Sequence, residues 1–254
     1  MPTPSTAPQD HGTELDRSVL LALWAPTSTS GAVAAVEGDD EPHEVVGLDS
    51  GTGLADLLLA LRTGPGEIVA LLPVPGDLGA PAQVADLAAD AGECVLLRRQ
   101  DRSLVAVPDV TVFGPEGDLG TAVTWSVHPI EQPRPLAGMV GTLAEAEQDL
   151  REVLRRSVDE LVDLDLARWR PEAAAALADL RGGPGPGPLP PGLAPRRVRV
   201  LTDATRLREV VALATVDDGA AVTSWQVDRR TQVLRTLDHA ARHAIVAATL
   251  GSIG

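Results

Sequence analysis

Residues 131–135 read Glu-Gln-Pro-Arg-Pro (EQPRP) and separate two parts of the chain that carry different patterns. Before this stretch, short apolar runs alternate with turn residues, which is typical of a mixed α and β structure. After it, apolar residues recur at helical spacing. The sequence therefore predicts an α+β fold in four segments: a disordered tail at 1–14, an acidic α+β domain at 15–130, a Pro-rich linker at 131–137 and an all-helical domain at 138–254.

The first part is predicted to contain a mixed sheet interrupted by two helices. The helices are expected at Gly53–Arg62 and Ala82–Asp90, because each run of helical composition ends at a glycine. Strands are expected at Arg17–Ala25, Ala32–Glu37, Glu44–Leu48, Glu67–Leu72, Glu93–Arg98, Ser103–Val107 and Thr121–His128.

The second part is predicted to be a domain resembling a four-helix bundle. Thr142 and Glu145 have the spacing of a capping box, which satisfies free amides at the start of a helix. A run rich in Gly and Pro at 182–192 cannot be a helix or a central strand. The four helices are expected from Thr142 to about Asp165, from Pro171 to Arg181, at Arg196–Val216 and at Ala220–Leu250.

Charge is distributed unevenly between the two parts. Residues 1–130 contain 19 acidic residues and 5 arginines, a balance of −14, whereas residues 131–254 contain 17 and 16. No basic surface is large enough to bind a phosphate backbone, so nucleic acid is not an expected partner. The acidic part favours a basic protein or an arginine-rich patch as its partner, although it could also imitate nucleic acid on a DNA-binding protein.

Several residue types that support catalysis are missing from the chain. It contains no lysine, tyrosine or asparagine, which excludes a P-loop lysine, a Schiff base and a catalytic tyrosine. The single cysteine, Cys94, excludes an intrachain disulfide and a multi-cysteine zinc site, and it is expected to be a small buried hydrophobic residue. We expect no cofactor, no signal peptide and no membrane span, which together predict a cytoplasmic protein.

Asp49-Ser50-Gly51-Thr52 resembles the catalytic loop of aspartic proteases, in which two carboxylates share a proton. That resemblance implies that Asp49 acts as a general acid and base, but it covers only four residues and a helical run follows it. The loop could instead be a tight turn in which Ser50 or Thr52 caps the following helix, or a cradle for an anion.

A second candidate loop spans residues 73–79, between a predicted strand and a predicted helix, where α/β proteins commonly place ligand loops. Gly76 permits backbone geometry that other residues resist, and Asp77 either caps the local turn or contacts a ligand.

His239 and His243 are four residues apart on a predicted helix and therefore share a face. Two such imidazoles can chelate a metal, but the glutamate of the H-E-x-x-H motif is missing and no cysteine or third histidine lies nearby in sequence. The sequence therefore predicts a solvated helix face and no metal site.

Arg196, Arg197 and Arg199 form a basic cluster with Arg206 and Arg208. This cluster could dock the acidic part of its own chain or of a neighbouring copy, or it could be a solvated face. Phosphate binding is the third alternative, because the net field of the protein repels anions.

Three stretches carry a resemblance to a known family. Leu71–Asp77 (LLPVPGD), Ala91–Val95 (AGECV) and Arg168–Ala174 (RWRPEAA) resemble an uncharacterised conserved family of actinobacterial proteins, from about Glu67 onwards. The resemblance implies an origin and no activity.

The sequence thus favours a non-catalytic protein-binding or regulatory module that acts through a protein partner or self-association. The alternative is a small-ligand-binding protein or a hydrolase that uses loops 49–53 and 73–79. The alternative requires both loops to converge on one pocket.

Overall fold

The computed structural model describes residues 15–27, 29–77, 79–115, 118–131, 135–163, 187–216 and 224–253. The helices are α1 (Arg17–Trp24), α2 (Thr29–Glu37), α3 (Leu54–Arg62), α4 (Ala85–Ala91), α5 (Leu136–Val140), α6 (Leu143–Asp163), α7 (Pro195–Val216) and α8 (Ser224–Thr249). The strands are β1 (Glu44–Val46), β2 (Gly66–Leu71), β3 (Cys94–Arg98), β4 (Ser103–Phe113), β5 (Gly120–Ile130) and β6 (Gly251–Ile253). A short 3₁₀ turn, Ala82–Val84, precedes α4.

The six strands form one mixed sheet in the order β1-β5-β4-β3-β2-β6. β1 runs parallel to β5, and all the other pairs are antiparallel. β6 follows α8 directly and adds to the edge of the sheet beside β2. The α+β class predicted from the sequence is therefore confirmed. The edge strand β6, however, comes from the part of the chain that was predicted to be all helical.

Two predicted strands are wrong. Arg17–Ala25 and Ala32–Glu37 were expected in the sheet, but the structure forms α1 and α2 there. Ser18 to Leu23 are all buried, because α1 packs between the sheet, α2 and α8. A helix that is apolar on every side has no 3.6-residue pattern, so its sequence cannot be distinguished from that of a buried strand.

The other elements lie close to their predicted positions, and the largest difference is in the hairpin of β4 and β5. Each of these strands is 11 residues long, with full pairing from Ser103–Ile130 to Phe113–Gly120. The predicted strand Ser103–Val107 covers only the first five residues of β4, and Thr121–His128 covers eight of the eleven residues of β5.

Helices α6, α7 and α8 confirm three of the four helices predicted after residue 138. The fourth, from Pro171 to Arg181, lies outside the described residues, so a bundle of four helices is not confirmed. Among the helices that the structure describes, none is long and apolar enough to cross a bilayer.

Alternate residues of the sheet point into two apolar clusters, one on each face. On one face, Ile68 and Leu97 join a large cluster that also contains residues of α1, α3, α7 and α8. On the other face, Val69 and Leu96 join a smaller cluster covered by α4 and α5. The helices after residue 190 therefore complete the larger core of the sheet, and the loop after β2 is placed against α8.

Candidate functional site

A cleft of about 1020 Å³ lies where the loop after β2 meets helices α7 and α8. Val74 to Asp77 form one wall, and Asp16 contributes from the segment before α1. The faces of α7 and α8 that line the cleft carry Thr205, Arg208, Glu209, Val211, Ala212, Ala214, Thr215, Val227, Arg230, Thr231, Leu234, Arg235, Asp238, His239 and Arg242. The volume and the mixture of apolar and polar groups are typical of pockets for small organic molecules.

Five charged residues alternate in sign along the cleft, and we call Asp16, Arg208, Asp238, Arg242 and Asp77 the charge row. Arg208 Nη1 lies 2.7 Å from Asp16 Oδ2 and Arg208 Nε lies 3.6 Å from Asp238 Oδ1. Arg242 Nε lies 2.8 Å from Asp238 Oδ2 and Arg242 Nη2 lies 2.8 Å from Asp77 Oδ2. Each arginine therefore contacts two carboxylates, and the row connects three segments that are distant in sequence.

Arg242 holds the loop after β2 against α8. Its side chain is 6% exposed and its Nη1 donates to the carbonyl oxygen of Leu72 at 2.9 Å. Burial acts to raise the pKa of Asp77, but hydrogen bonds from Arg242 and His239 outweigh that effect, so the pKa lies below its usual value. Asp77 is therefore an ionised carboxylate at neutral pH.

Two imidazoles stand beside that carboxylate. His239 Nδ1 lies 2.8 Å from Asp77 Oδ2, and the ring centroids of His239 and His243 are 4.3 Å apart. Burial, and then the nearby His239, lower the pKa of His243, which favours a neutral ring. One ligand atom from each of the three side chains lies within 4.8 Å of the others, so this group could hold a metal ion.

Two polar side chains that line the cleft have no hydrogen-bond partner among the described residues. They are Thr205, through its Oγ1, and Glu209, through both carboxylate oxygens, and these atoms are shielded from solvent. The two residues are one helical turn apart on α7, so they share a face. Burial raises the pKa of Glu209, although the charge of Arg206 acts in the opposite direction.

A third unusual carboxyl group lies behind the charge row. Glu93 is buried and accepts a hydrogen bond of 2.6 Å from the backbone amide of Ser18 at the start of α1. Burial, and then the negative charge of Asp16, raise the pKa of Glu93 to about 7. This carboxyl group therefore changes its charge near neutral pH.

The loop at 49–53 lies away from the cleft. The Asp49 side chain is 94% exposed, and its charged neighbour is Arg102 at 3.9 Å. Ser50 and Thr52 are exposed too, and neither caps α3, because Gly53 is the N-cap and its amide donates to Asp56 Oδ2. A Cβ atom at Gly51 would lie 2.1 Å from that carboxylate, which gives the glycine of this motif a structural explanation.

Strand directions explain why the two predicted loops do not meet. β1, β5 and β3 run in one direction, and β4 and β2 run in the opposite direction. The loop after β1 and the loop after β2 therefore lie at opposite ends of the sheet. Of the predicted ligand residues, Gly76 and Asp77 line the cleft, and Asp49, Ser50 and Thr52 do not.

The predicted basic cluster is divided among several internal contacts. Arg196 Nε lies 2.6 Å from Glu147 Oε2 of α6, and Arg197 Nη2 donates to the carbonyl oxygen of Leu250 at 2.6 Å. Arg199 is exposed. Contact with the acidic part of the same chain was one of the alternatives for this cluster, and Arg208 makes such a contact through Asp16.

Sequence reasoning missed Arg242, Asp238 and Glu209 as site residues. One signal was present, since Asp238 and Arg242 are four residues apart in D-H-A-A-R-H and form an ion pair next to the histidines on α8. The third partner, Asp77, is 162 positions from His239, and only the fold brings them together.

The described residues define an α+β protein with a mixed six-stranded sheet, in which two long helices and the loop after β2 enclose a cleft lined by both carboxylates and arginines. The chain belongs to the Rv1486c-like protein family: the model of the N-terminal domain matches residues 18–138, and the model of the C-terminal domain matches residues 144–246. The predicted resemblance to an uncharacterised family is confirmed, and it supplies no activity. No curated protein and no solved structure is significantly similar to the chain.

Proposed function

We propose that the protein binds a small organic molecule in the cleft and that a cationic or N–H donor group of this molecule contacts Glu209 and Thr205. The observation that carries the proposal is that the polar atoms of these two side chains are shielded from water and have no hydrogen-bond partner among the described residues. A buried polar group without a hydrogen bond costs free energy, on the order of 1–3 kcal/mol, and a carboxylate costs more. A ligand with an amine, amidine or guanidine group would remove that cost.

The surroundings of Glu209 support a ligand of this type. Val211 and Leu234 provide apolar wall in the same cleft, so the rest of the molecule can be a hydrocarbon or an aromatic ring. Each carboxylate of the charge row contacts an arginine, whereas both oxygens of Glu209 lack a hydrogen bond, so Glu209 is the carboxylate of the cleft that gains most from a cation.

The proposed role is binding without catalysis. Arg208 and Arg242 are each engaged by two carboxylates and are poorly suited to stabilise a developing charge on a substrate. Cys94 is buried, and burial raises the pKa of its thiol to about 12, which keeps it from acting as a nucleophile at neutral pH.

The test is a thermal-shift and calorimetric comparison of the wild-type chain with Glu209→Gln. The probes are putrescine, spermidine, agmatine, benzamidine and the twenty amino acids. Because Gln removes the charge but keeps the shape, we expect at least one cationic probe to stabilise the wild type and to bind the variant at least tenfold more weakly. Without a probe, the variant should be as stable as the wild type or more stable, since a buried unpaired charge has been removed.

The matched control is Asp203→Asn, an exposed carboxylate on the same helix that does not line the cleft. This variant should bind every probe like the wild type. A wild-type chain that no cationic probe stabilises would contradict the proposal. So would equal binding by the wild type and Glu209→Gln.

A second candidate function, docking of a basic protein segment, is favoured by the tip of the β4–β5 hairpin. Three apolar residues are exposed there: Val112 (48%), Phe113 (46%) and Leu119 (63%). Asp118 immediately precedes Leu119, and Asp109 is three positions before Val112 on the same strand. β3 pairs with β4 only as far as Ala106, so the distal half of β4 has one edge without a strand among the described residues. We propose that an extended segment with alternating apolar and arginine residues adds to this edge.

This second candidate is tested with a fluorescent peptide of alternating valine and arginine, measured by anisotropy. Val112→Ser combined with Leu119→Ser should weaken binding at least tenfold. The control Leu59→Ser removes a leucine of similar exposure on α3 and should have no effect. Equal affinities of all three proteins would contradict the candidate.

A further inference from the structure

The geometry points to a divalent transition-metal site formed by Asp77, His239 and His243, with the Arg242 side chain positioning the carboxylate. This site was not expected from the sequence, because the third ligand comes from a distant loop. It also does not depend on the ligand proposed for Glu209, which contacts a different helix.

The three side chains are close to the separation that a metal ion requires. Their candidate ligand atoms lie within 4.8 Å of one another. Four-coordinate zinc with bonds of about 2.0–2.2 Å separates its ligand atoms by roughly 3.4 Å. The difference is small enough to be closed by rotations about side-chain bonds, without movement of α8 or of the loop.

The backbone supplies the spacing of the two imidazoles. His239 and His243 lie one turn apart on α8, and their ring centroids are 4.3 Å apart. Both side chains are exposed enough for an ion to reach them. Two imidazole nitrogens and one carboxylate oxygen select zinc, cobalt, nickel or iron over calcium and magnesium, which prefer all-oxygen sites.

Arg242 supports the carboxylate rather than competing with the ion. Its Nη2 and the Nδ1 of His239 both contact Oδ2 of Asp77, so the other oxygen, Oδ1, is not used by either group. The guanidinium is fixed at two further points, by Asp238 and by the Leu72 carbonyl. Hydrogen bonds of this kind orient ligating carboxylates in metal sites, and their loss commonly lowers affinity 10- to 100-fold.

The charge balance also favours a cation. The charge row contains three aspartates and two arginines, so its formal sum is −1, and the whole chain carries −15. Asp77 and Arg242 line both the large cleft and a neighbouring cavity of about 390 Å³ that also contains His243. A metal held by three protein ligands therefore keeps at least one coordination position open towards these cavities.

The experiment uses the full chain after treatment with a chelator and dialysis. Co²⁺ is added while the visible d–d absorption is recorded, and Zn²⁺ affinity is measured by competition with a chromophoric chelator. The wild type is expected to bind one ion per chain, with the spectrum of four- or five-coordinate cobalt. His243→Ala is expected to weaken Zn²⁺ binding at least tenfold, and Arg242→Gln is expected to do so by 10- to 100-fold.

The matched control is His128→Gln, which removes a histidine of β5 far from the loop after β2. Its metal affinity should equal that of the wild type. Circular dichroism without metal checks the folding of each variant, and His243 tolerates alanine because its side chain is exposed. Asp77→Asn gives a second readout, since it removes the negative charge of the carboxylate but preserves the shape of the side chain.

Two results would overturn this inference: absence of stoichiometric Co²⁺ binding by the wild type, or unchanged affinity in His239→Ala/His243→Ala. The second result would locate any bound ion elsewhere. The titrations of the metal-free protein with amines do not depend on either result. The proposed metal site and the proposed ligand of Glu209 can therefore be contradicted separately.

Discussion

At the scale of single residues, Arg242 makes more side-chain hydrogen bonds than the other cleft residues described above. Its guanidinium donates to Leu72, Asp77 and Asp238 and is almost completely shielded from solvent. Removal of one partner from a buried charged network leaves the others without compensation, and this costs far more than the loss of an exposed pair.

We therefore expect Arg242→Met to lower the free energy of unfolding by roughly 3–5 kcal/mol. The measurement is urea denaturation followed by circular dichroism. The control is Arg151→Met, because Arg151 is 68% exposed and its partner Glu147 keeps a second ion pair with Arg196, so its replacement should cost about 1 kcal/mol or less. Equal losses in the two variants would show that the charge row does not hold the loop.

Glu93 gives a prediction about pH. A carboxyl group whose pKa is raised in the folded protein contributes stability below its unfolded pKa of 4.5, and this contribution is lost as the pH rises through about 7. Replacement by Gln keeps an oxygen for the Ser18 amide and removes the ionisation. The difference in stability between Glu93→Gln and the wild type should therefore grow between pH 4.5 and 7, by at most roughly 1.4 kcal/mol per pH unit.

The measurement is the free energy of unfolding of both proteins at pH intervals from 4 to 8. Glu44→Gln, on the exposed side of β1, serves as the control for the general effect of removing one acidic side chain. A flat difference for Glu93→Gln would mean that Glu93 stays ionised in the folded protein.

At the scale of secondary structure elements, the sequence predicted those parts in which a local pattern carries the information. α6 was found because Thr142 and Glu145 mark its start and a polar face accompanies its apolar face. α1 and α2 were missed because their sequences do not show which elements pack against them. A short, largely apolar segment such as Arg17–Trp24 is compatible with either a strand or a helix. The outer part of β4, residues 109–113, was missed for a related reason, since four of its five residues are exposed and no buried face marks it as a strand.

The start of α6 gives a prediction at this scale. Thr142→Ala removes the hydroxyl that accepts from the Glu145 amide at 3.2 Å, and the expected loss of stability is about 1 kcal/mol. Thermal and urea unfolding measure it. Thr236→Ala is the control, because that hydroxyl only bonds back to Gln232 within α8 and its loss should be neutral or slightly stabilising. A neutral Thr142→Ala would indicate that α6 is held by packing alone.

At the scale of the whole molecule, the site could not be predicted because its parts are remote along the chain. Asp77 was named from the turn that contains it, and the two histidines were named from their spacing. That these groups meet is a consequence of α8 crossing the end of β2, and no local pattern encodes that crossing. The loop at 49–53 shows the converse, since its motif resembled a catalytic one and the sheet places it at the opposite end.

The shared core predicts that the two parts of the chain do not fold independently. A fragment of residues 15–140 lacks α7, α8 and β6, and its sheet would expose the face that carries Ile68 and Leu97. We expect this fragment to bind a hydrophobic dye and to unfold without a cooperative transition. Addition of a second fragment, residues 141–254, should restore cooperativity. Cooperative unfolding by the first fragment alone would support two autonomous domains instead.

The pairing of β6 with β2 also has a consequence for biosynthesis. The 180 positions between Leu71 and Gly251 must be translated before the edge of the sheet can close, which takes on the order of 10 to 40 s on the ribosome. During that interval the nascent polypeptide presents leucines and valines that nothing yet covers. Chaperones that hold unfolded chains would bind such an intermediate. A mutation that slows translation of α8 would lengthen the time during which the intermediate can aggregate.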